Sequence, residues 1–288
     1  MDWESTQIRK IIDDWILEDI GNGDLTSVCI TQDISKAYWI AKEAGIFCGK
    51  EILKKLFFRI DQNITLKFFI EDGDNFSKNQ RILELKGPSI SLLASERIAL
   101  NIAMHLSGIS TYAYKLVGKL KNTSIKLADT RKTTPGLRHL EKYAFRCGGG
   151  INHRMGLYDA AMLKENHIAW TDNLENAIGK IRSNSPFTTH IIVEAESIEQ
   201  AKDAILAGAD SILLDEIEPE LLKRNINLLK DMANKNENIN SKKRLTIEVS
   251  GIKPEEIDKY LIDGIDFIST SSATTKSKWI DLSMRYID

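Results

Sequence analysis

The chain reads as an α/β protein: a mixed α+β region, then strand–helix units forming a parallel sheet that curls toward an open, incomplete (β/α) barrel. Three observations predict this. From about residue 124, short apolar runs alternate with amphipathic stretches: IKLAD (125–129), AMLK (161–164), HIIVE (190–194), SILLD (211–215), LTIEVS (245–250) and FISTS (267–271). Strand–helix repeats with no returning hairpin imply right-handed crossovers and a parallel sheet. Before residue 110 the pattern differs, with strand-like runs broken by Gly, Asp and Asn. Finally, 288 residues with 42% hydrophobic and 28% charged side chains suffice for a sizeable core in one domain or two.

Ile8, Ile11, Ile12, Trp15 and Ile16 recur at helical spacing and predict an opening helix that ends near Gly21. EDIGNGDLTS (18–27) follows as a turn, with Thr26 and Ser27 available as caps. Strands are expected within 36–49, 63–70 and 81–86. Ser91 to Lys119 has helical periodicity, with Gly108 expected to interrupt it. These elements make an α+β domain of residues 1–110, which the C-terminal segment 276–288 is expected to join. The barrel region takes 111–275, with helices over 172–183, 197–207, 218–233 and 254–263. NKNENINSKKR (234–244) is the longest expected loop.

A formal net charge of −2 argues against a general nucleic-acid binder. Three cysteines, Cys29, Cys48 and Cys147, cannot all pair and lack metal-ligand spacing, which suits a reducing compartment. The charged start and the lack of a bilayer-length apolar run predict a cytoplasmic protein with no membrane partner.

Chemistry concentrates in Asp129–His167. This stretch gathers Arg131, Lys132, Arg138, Lys142, Arg146, Arg154 and Lys164 around Gly148-Gly149-Gly150. Clustered Arg and Lys beside flexible glycine backbone suit phosphates and carboxylates. The strands end in Asp129, Lys164, Glu194, Asp215 and Ser250. In a parallel barrel such ends share one rim, where active sites are built. Glu194 and Asp215 are then expected to face Arg131, Lys132 and Lys164 across a single mouth. Such a mouth suits an anionic substrate that develops positive charge, with or without a divalent cation. His139 reads as a helix-surface residue and Cys147 as a packed small side chain. His167 fits either a core hydrogen bond or a ligand contact. No CxxC or HxxxH pattern supports zinc.

These residues resemble the quinolinate phosphoribosyltransferase family over nearly the whole chain. EDIGNGDLTS, AKEAGIFCG and SERIALNIAMHLSGIST are similar to the family's N-terminal loop, first strand pair and linking helix. DTRKTTPGLRHLEKYAFRCGGGINHRMGLYDAAMLKENHI is a close and specific match, and IIVEAES, ILLDEI and IEVSG follow in family order. The resemblance implies an N-terminal sandwich joined to an open α/β barrel of the type II phosphoribosyltransferase kind, as a homodimer or an assembly of dimers. It implies Mg²⁺-dependent transfer of phosphoribosyl from phosphoribosyl pyrophosphate to quinolinate, with loss of CO₂. Arg131, His153, Arg154 and Lys164 then hold quinolinate with Thr130, and Arg97 arrives from the neighbouring subunit. Lys132 lies between the quinolinate and pyrophosphate sites. Glu194 and Asp215 contact ribose and metal. Asn166, Ser250, Gly251, Ser269, Thr270 and Ser271 complete the phosphoribosyl pyrophosphate site.

The match departs from the family pattern in three places. One glycine is missing after Ser250-Gly251. Ser269-Thr270-Ser271-Ser272 replaces a small apolar–Gly–Ala loop. Thr275 stands where a histidine is common. Hydroxyls, backbone N–H groups and a following helix N-terminus remain able to bind phosphate. The competing reading is a paralogue of the same fold with another substrate, such as the molybdenum-transport-associated relatives. The paired threonines of TRKTTPG and the intact NHRMGLYDAAMLKENH favour the quinolinate enzyme.

Overall fold

A computed structural model describes residues 1–31, 33–171, 173–235 and 245–287. Most of the loop expected at 234–244 lies outside them. The chain divides into two compact units. One comprises Met1–Lys115, Thr133–Gly149 and Ala273–Asp288; the other comprises Leu116–Lys132 and Gly150–Ser272. Beyond the expected 1–110 and C-terminal segment, the first unit also takes in Thr133–Gly149.

The first unit opens with α1 (Thr6–Asp19), which ends near Gly21 as its spacing implied. Ser5 caps it by accepting the Ile8 N–H. The turn after it is capped by Asp24 rather than by Thr26 or Ser27. Its carboxylate accepts both the Thr26 N–H and hydroxyl, at 2.8 and 2.6 Å, and starts a 3₁₀ turn over Leu25–Cys29. The 36–49 run separates into β1 (Ile34–Ala41) and β2 (Gly45–Ile46), followed by α2 (Lys50–Ile60), β3 (Thr65–Phe68), β4 (Asn75–Phe76) and β5 (Arg81–Pro88). The sheet order is β12-β1-β5-β3, where β12 is Leu282–Ile287, and β2 pairs with β4. Trp39, Phe47 and Phe57 are fully buried in the core.

The helix after β5, α3 (Ser89–Lys119), is not interrupted at Gly108. A Cβ there would fall 2.3 Å from the Lys278 carbonyl oxygen, so the glycine permits close backbone approach instead. α4 (Arg138–Cys147) also belongs to this unit. Its fully buried Glu141 bonds His105 of α3 at 2.9 Å and accepts the Thr134 N–H at 2.9 Å.

The second unit holds six parallel strands: β6 (Lys126–Ala128), β7 (Ala161–Leu163), β8 (Ile191–Ala195), β9 (Ser211–Asp215), β10 (Thr246–Ser250) and β11 (Phe267–Ser269). Their order is β6-β11-β10-β9-β8-β7, so the terminal strands β6 and β7 leave the sheet open between them. Crossover helices include α5 (Glu165–Ala169), α6 (Leu174–Asn184), α7 (Ile198–Leu206) and α8 (Pro219–Lys235). The helix expected at 254–263 is a 3₁₀ segment, Pro254–Tyr260. The helix after β11, α9 (Ser272–Thr275), has one turn, too short for an appreciable dipole. Alternation sets the two faces of the sheet. Ile191, Val193, Ala195, Ile212, Leu214, Ile247, Val249 and Ile268 are at most 1% exposed and make the helix-packed face. The opposite face is thereby left for the polar residues. No helix among the described residues is long and apolar enough to cross a membrane.

Candidate active site

Register places the carboxylates together. Glu194 on β8 and Glu248 on β10 both align with Leu213 of β9, and Asp215 aligns with Ser250. Laterally aligned residues on parallel strands share a face. Glu194, Asp215, Glu248 and Ser250 therefore line one surface of the sheet, at its C-terminal end. Lys164 follows β7 and forms an ion pair with Glu194. Arg154 lies within electrostatic reach of both Arg131 and Glu194. Burial, and then the Arg131 guanidinium, push Arg154 below the ordinary arginine range, while Glu194 opposes them. The Arg154 guanidinium also donates to the Ala160 carbonyl at 2.9 Å. Crowding two guanidiniums beside one carboxylate makes a surface that a polyanion would neutralise.

The loop after Gly150 is built around Asp129, which is 1% exposed. Its carboxylate accepts the His153 N–H at 2.8 Å and the Asn152 side-chain amide at 2.6 Å. This strand end is thus a structural anchor. His153 Nδ1 accepts the Arg154 N–H at 2.7 Å, which leaves the ring proton on Nε2, 3.3 Å from Glu248 Oε2. Both ring nitrogens face partners inside the chain. Glu248 Oε1 is buried without a hydrogen-bond partner among the described residues. Glu248 was absent from the sequence-based site, because it lies mid-strand between apolar neighbours. Only the parallel register shows that it stands level with Glu194.

Thr130 Oγ1 accepts the Lys132 N–H at 3.1 Å and shapes the turn that presents Arg131 and Lys132. Lys132 is exposed. His167 is exposed and is not a core residue; its Nδ1 accepts the Lys164 N–H at 3.2 Å. Asn166 sits exposed on the same turn of α5. Gly251 has φ +76, and a Cβ there would lie 2.4 Å from Glu216 Cγ and 3.2 Å from Asp215 Oδ1. Glu216, at φ +55, is itself in the left-handed region, so backbone strain collects where β9 ends. Ser269 and Thr270 are buried, and the Thr270 and Ser272 hydroxyls bond one another. Of that loop's hydroxyls, Ser271 is the more accessible. Arg97 is exposed on α3, in the first unit. A hollow of about 300 Å³ is lined by Glu165, Glu194, Glu196 and Asp203, and its acidic wall makes it unsuited to an anion.

A family model for the quinolinate phosphoribosyl transferase N-terminal domain matches residues 24–107, and the C-terminal domain model matches residues 109–285. The chain belongs to the quinolinate phosphoribosyl transferase family. Among curated members of that family, it is 41% identical to a probable nicotinate-nucleotide pyrophosphorylase (carboxylating) of Bacillus subtilis, over 96% of this chain and 93% of that one. It is 30% identical to the human nicotinate-nucleotide pyrophosphorylase (carboxylating), over 96% and 91%. The crystal structure of NadC from Streptococcus pyogenes superposes with a TM-score of 0.90 at 36% identity, covering 100% of both chains. The quinolinate phosphoribosyl transferase fold thus extends through both units and includes every strand described above.

Proposed function

We propose that this chain is a nicotinate-nucleotide pyrophosphorylase. In this reading it joins quinolinate to phosphoribosyl pyrophosphate, giving nicotinate mononucleotide, pyrophosphate and CO₂ in the synthesis of NAD. Full-length relatives at 30% and 41% identity support the activity. The observation that carries the mechanism is the Lys164–Glu194 ion pair, set beside Arg154 and Arg131 on the face that also bears Asp215.

Quinolinate carries two carboxylates. Arg131, Arg154 and Lys164 supply the cations that hold them, with Thr130 shaping the turn and His153 bordering the pocket. The ring nitrogen attacks the anomeric carbon as its bond to pyrophosphate breaks, and the bonding electrons leave with pyrophosphate. Positive charge that builds on the ribosyl carbon is stabilised by Glu194 and Asp215. Lys132, exposed beside Arg131, meets the departing pyrophosphate. Ribosylation leaves the pyridine ring cationic, which stabilises the electron pair left on the ring carbon as its carboxylate departs as CO₂, and that carbon then takes a proton from water. Positioning and fixed charge carry the rate, and no nucleophilic side chain is required. Asn166, Ser250, Gly251 and Ser271 hold the phosphoribosyl part, with Ser269 and Thr270 acting through the backbone of their loop.

Mg²⁺ fits this donor set. Glu194 and Asp215 are hard oxygen donors on neighbouring strands, and among the described residues they belong to no cluster of three potential protein ligands. Mg²⁺ commonly takes one or two carboxylates, with substrate phosphates and water as its remaining ligands. When bound, it supplies neutralisation of the leaving pyrophosphate. We further place the enzyme in the cytoplasm as a homodimer or assembly of dimers, with Arg97 reaching the quinolinate pocket of the neighbouring subunit.

The test is a steady-state assay of pyrophosphate and CO₂ release from quinolinate and phosphoribosyl pyrophosphate, with and without a chelator. Release should require Mg²⁺. Nicotinate, which lacks one carboxylate, should turn over poorly. Equal turnover of both acids would overturn the pocket assignment. A purified protein inert toward quinolinate would instead favour the same-fold paralogue.

A further inference from the structure

The first unit brings together two thiols that lie far apart in sequence. Cys48 precedes α2, and Cys147 ends α4. Their sulfurs and one Asp72 carboxylate oxygen all lie within 4.8 Å of one another. Cys48 is fully buried, whereas Cys147 is only partly buried. The backbone is held on both sides. The Cys48 N–H donates to Ser107 Oγ at 3.1 Å. The Ala144 carbonyl accepts the Ser110 hydroxyl at 2.8 Å, and a Cβ on Gly148 would fall 2.4 Å from the Ser110 carbonyl oxygen. Neither cysteine has a part in the phosphoribosyl transfer.

Asp72 already has a structural task. One of its oxygens accepts the Gly49 and Lys50 N–H groups at 2.8 and 2.9 Å, and the other accepts the Tyr143 hydroxyl at 2.8 Å. The carboxylate caps α2, and the cluster offers only two soft donors, short of the usual zinc complement. Thiol chemistry is what remains.

We propose that Cys48 and Cys147 form a redox-active pair that closes an intrachain disulfide when the protein meets a peroxide. The two thiols differ in the sense this requires. A hydrogen bond from Cys48 holds the Cys147 thiol below the ordinary cysteine range, aided by Tyr143 and Arg146 against burial and Asp72. Burial pushes the Cys48 thiol well above that range. The Cys147 thiolate attacks one peroxide oxygen. The O–O bond breaks and Cys147 becomes a sulfenic acid, while the other oxygen leaves as water or alcohol after taking a proton. The Cys48 sulfur then attacks the Cys147 sulfur. The S–O bond breaks, and its hydroxyl leaves as water with the Cys48 proton. Two electrons pass from the thiols to the peroxide. The bond would close a loop of roughly 100 residues and so restrict the unfolded chain.

The experiment uses the full chain and the Cys29→Ser variant, treated with stoichiometric hydrogen peroxide, denatured and titrated for free thiols. The native sequence should fall from three titratable thiols to one, at exposed Cys29, and Cys29→Ser should fall from two to none. Peptide mapping should recover a Cys48–Cys147 link. The oxidised protein should melt at a higher temperature, and dithiothreitol should reverse the shift. In Cys48→Ser, Cys147 should persist as a sulfenic acid that dimedone traps. Two thiols remaining in Cys29→Ser after peroxide would overturn the proposal. So would recovery of Cys147 as sulfinic or sulfonic acid with Cys48 still free. Because the readout is thiol content, these outcomes are independent of the phosphoribosyl reaction.

Discussion

Glu248 is 5% exposed and has one carboxylate oxygen near His153 and the other without a hydrogen-bond partner among the described residues. Such a group is kept at a cost, because an unsatisfied buried polar atom destabilises the fold by about 1–3 kcal/mol. Its contribution therefore belongs to function more than to stability. Glu248→Gln should leave the melting temperature within about 2 °C, since the shape is kept and one buried polar atom stays unpaired in either case. It should raise the KM for quinolinate about tenfold, equivalent to about 1.4 kcal/mol, by loosening the His153 ring. An unchanged KM would show that the ring needs no such anchor. The Asp129–Lys132 and His153–Lys164 segments stood out as a candidate site because several charged residues are adjacent in sequence. Glu248 was not, since one glutamate in a strand carries no local signal.

One element shows how periodicity can find a helix and misjudge a residue inside it. In α3 the apolar spacing runs on through Gly108, whose lack of a side chain serves contact with Lys278. Gly108→Ala should gain about 1 kcal/mol in helix propensity. The 2.3 Å clash with the Lys278 carbonyl should outweigh it, for a net loss of about 1–3 kcal/mol. A rise in melting temperature would mean that the 278 segment yields freely. In α4, burial alone would raise the Glu141 carboxyl, but hydrogen bonds from His105 and Thr134 outweigh it and hold the group below the usual carboxylate range. A depressed folded-state value contributes stability that is present above the unfolded value and is lost as pH falls through the folded one. Melting temperature should therefore fall on acidification more steeply in the native sequence than in Glu141→Gln. Parallel curves would remove Glu141 from the acid response.

Across the molecule, the proposed sharing of the site between subunits makes a complementation prediction. Arg97→Ala and Lys164→Ala proteins should each lose at least about 100-fold in kcat/KM, the scale of losing one preorganised charge partner. Mixed and allowed to exchange subunits, they should regain part of the activity, because some sites would combine an intact Arg97 with an intact Lys164. Absence of rescue, with exchange shown by mass, would place both residues in the same subunit's site or leave Arg97 outside it. The antiparallel sheet was only partly legible before the structure. β12 pairs with β1 from the other end of the chain, and neither strand's sequence names its partner.

Local pattern was enough to reveal the α/β class, the six parallel strands, and the Arg- and Lys-rich stretch that carries the family likeness. Strand alternation, helical spacing and clustered charge are all properties of near neighbours, so they survive in a one-dimensional reading. The tertiary structure alone decided that Glu248 stands level with Glu194, that Gly108 is a contact, that Thr270 and Ser272 engage each other, and that Cys48 meets Cys147. Each depends on register or packing between distant segments, where burial and close approach are set by the partner.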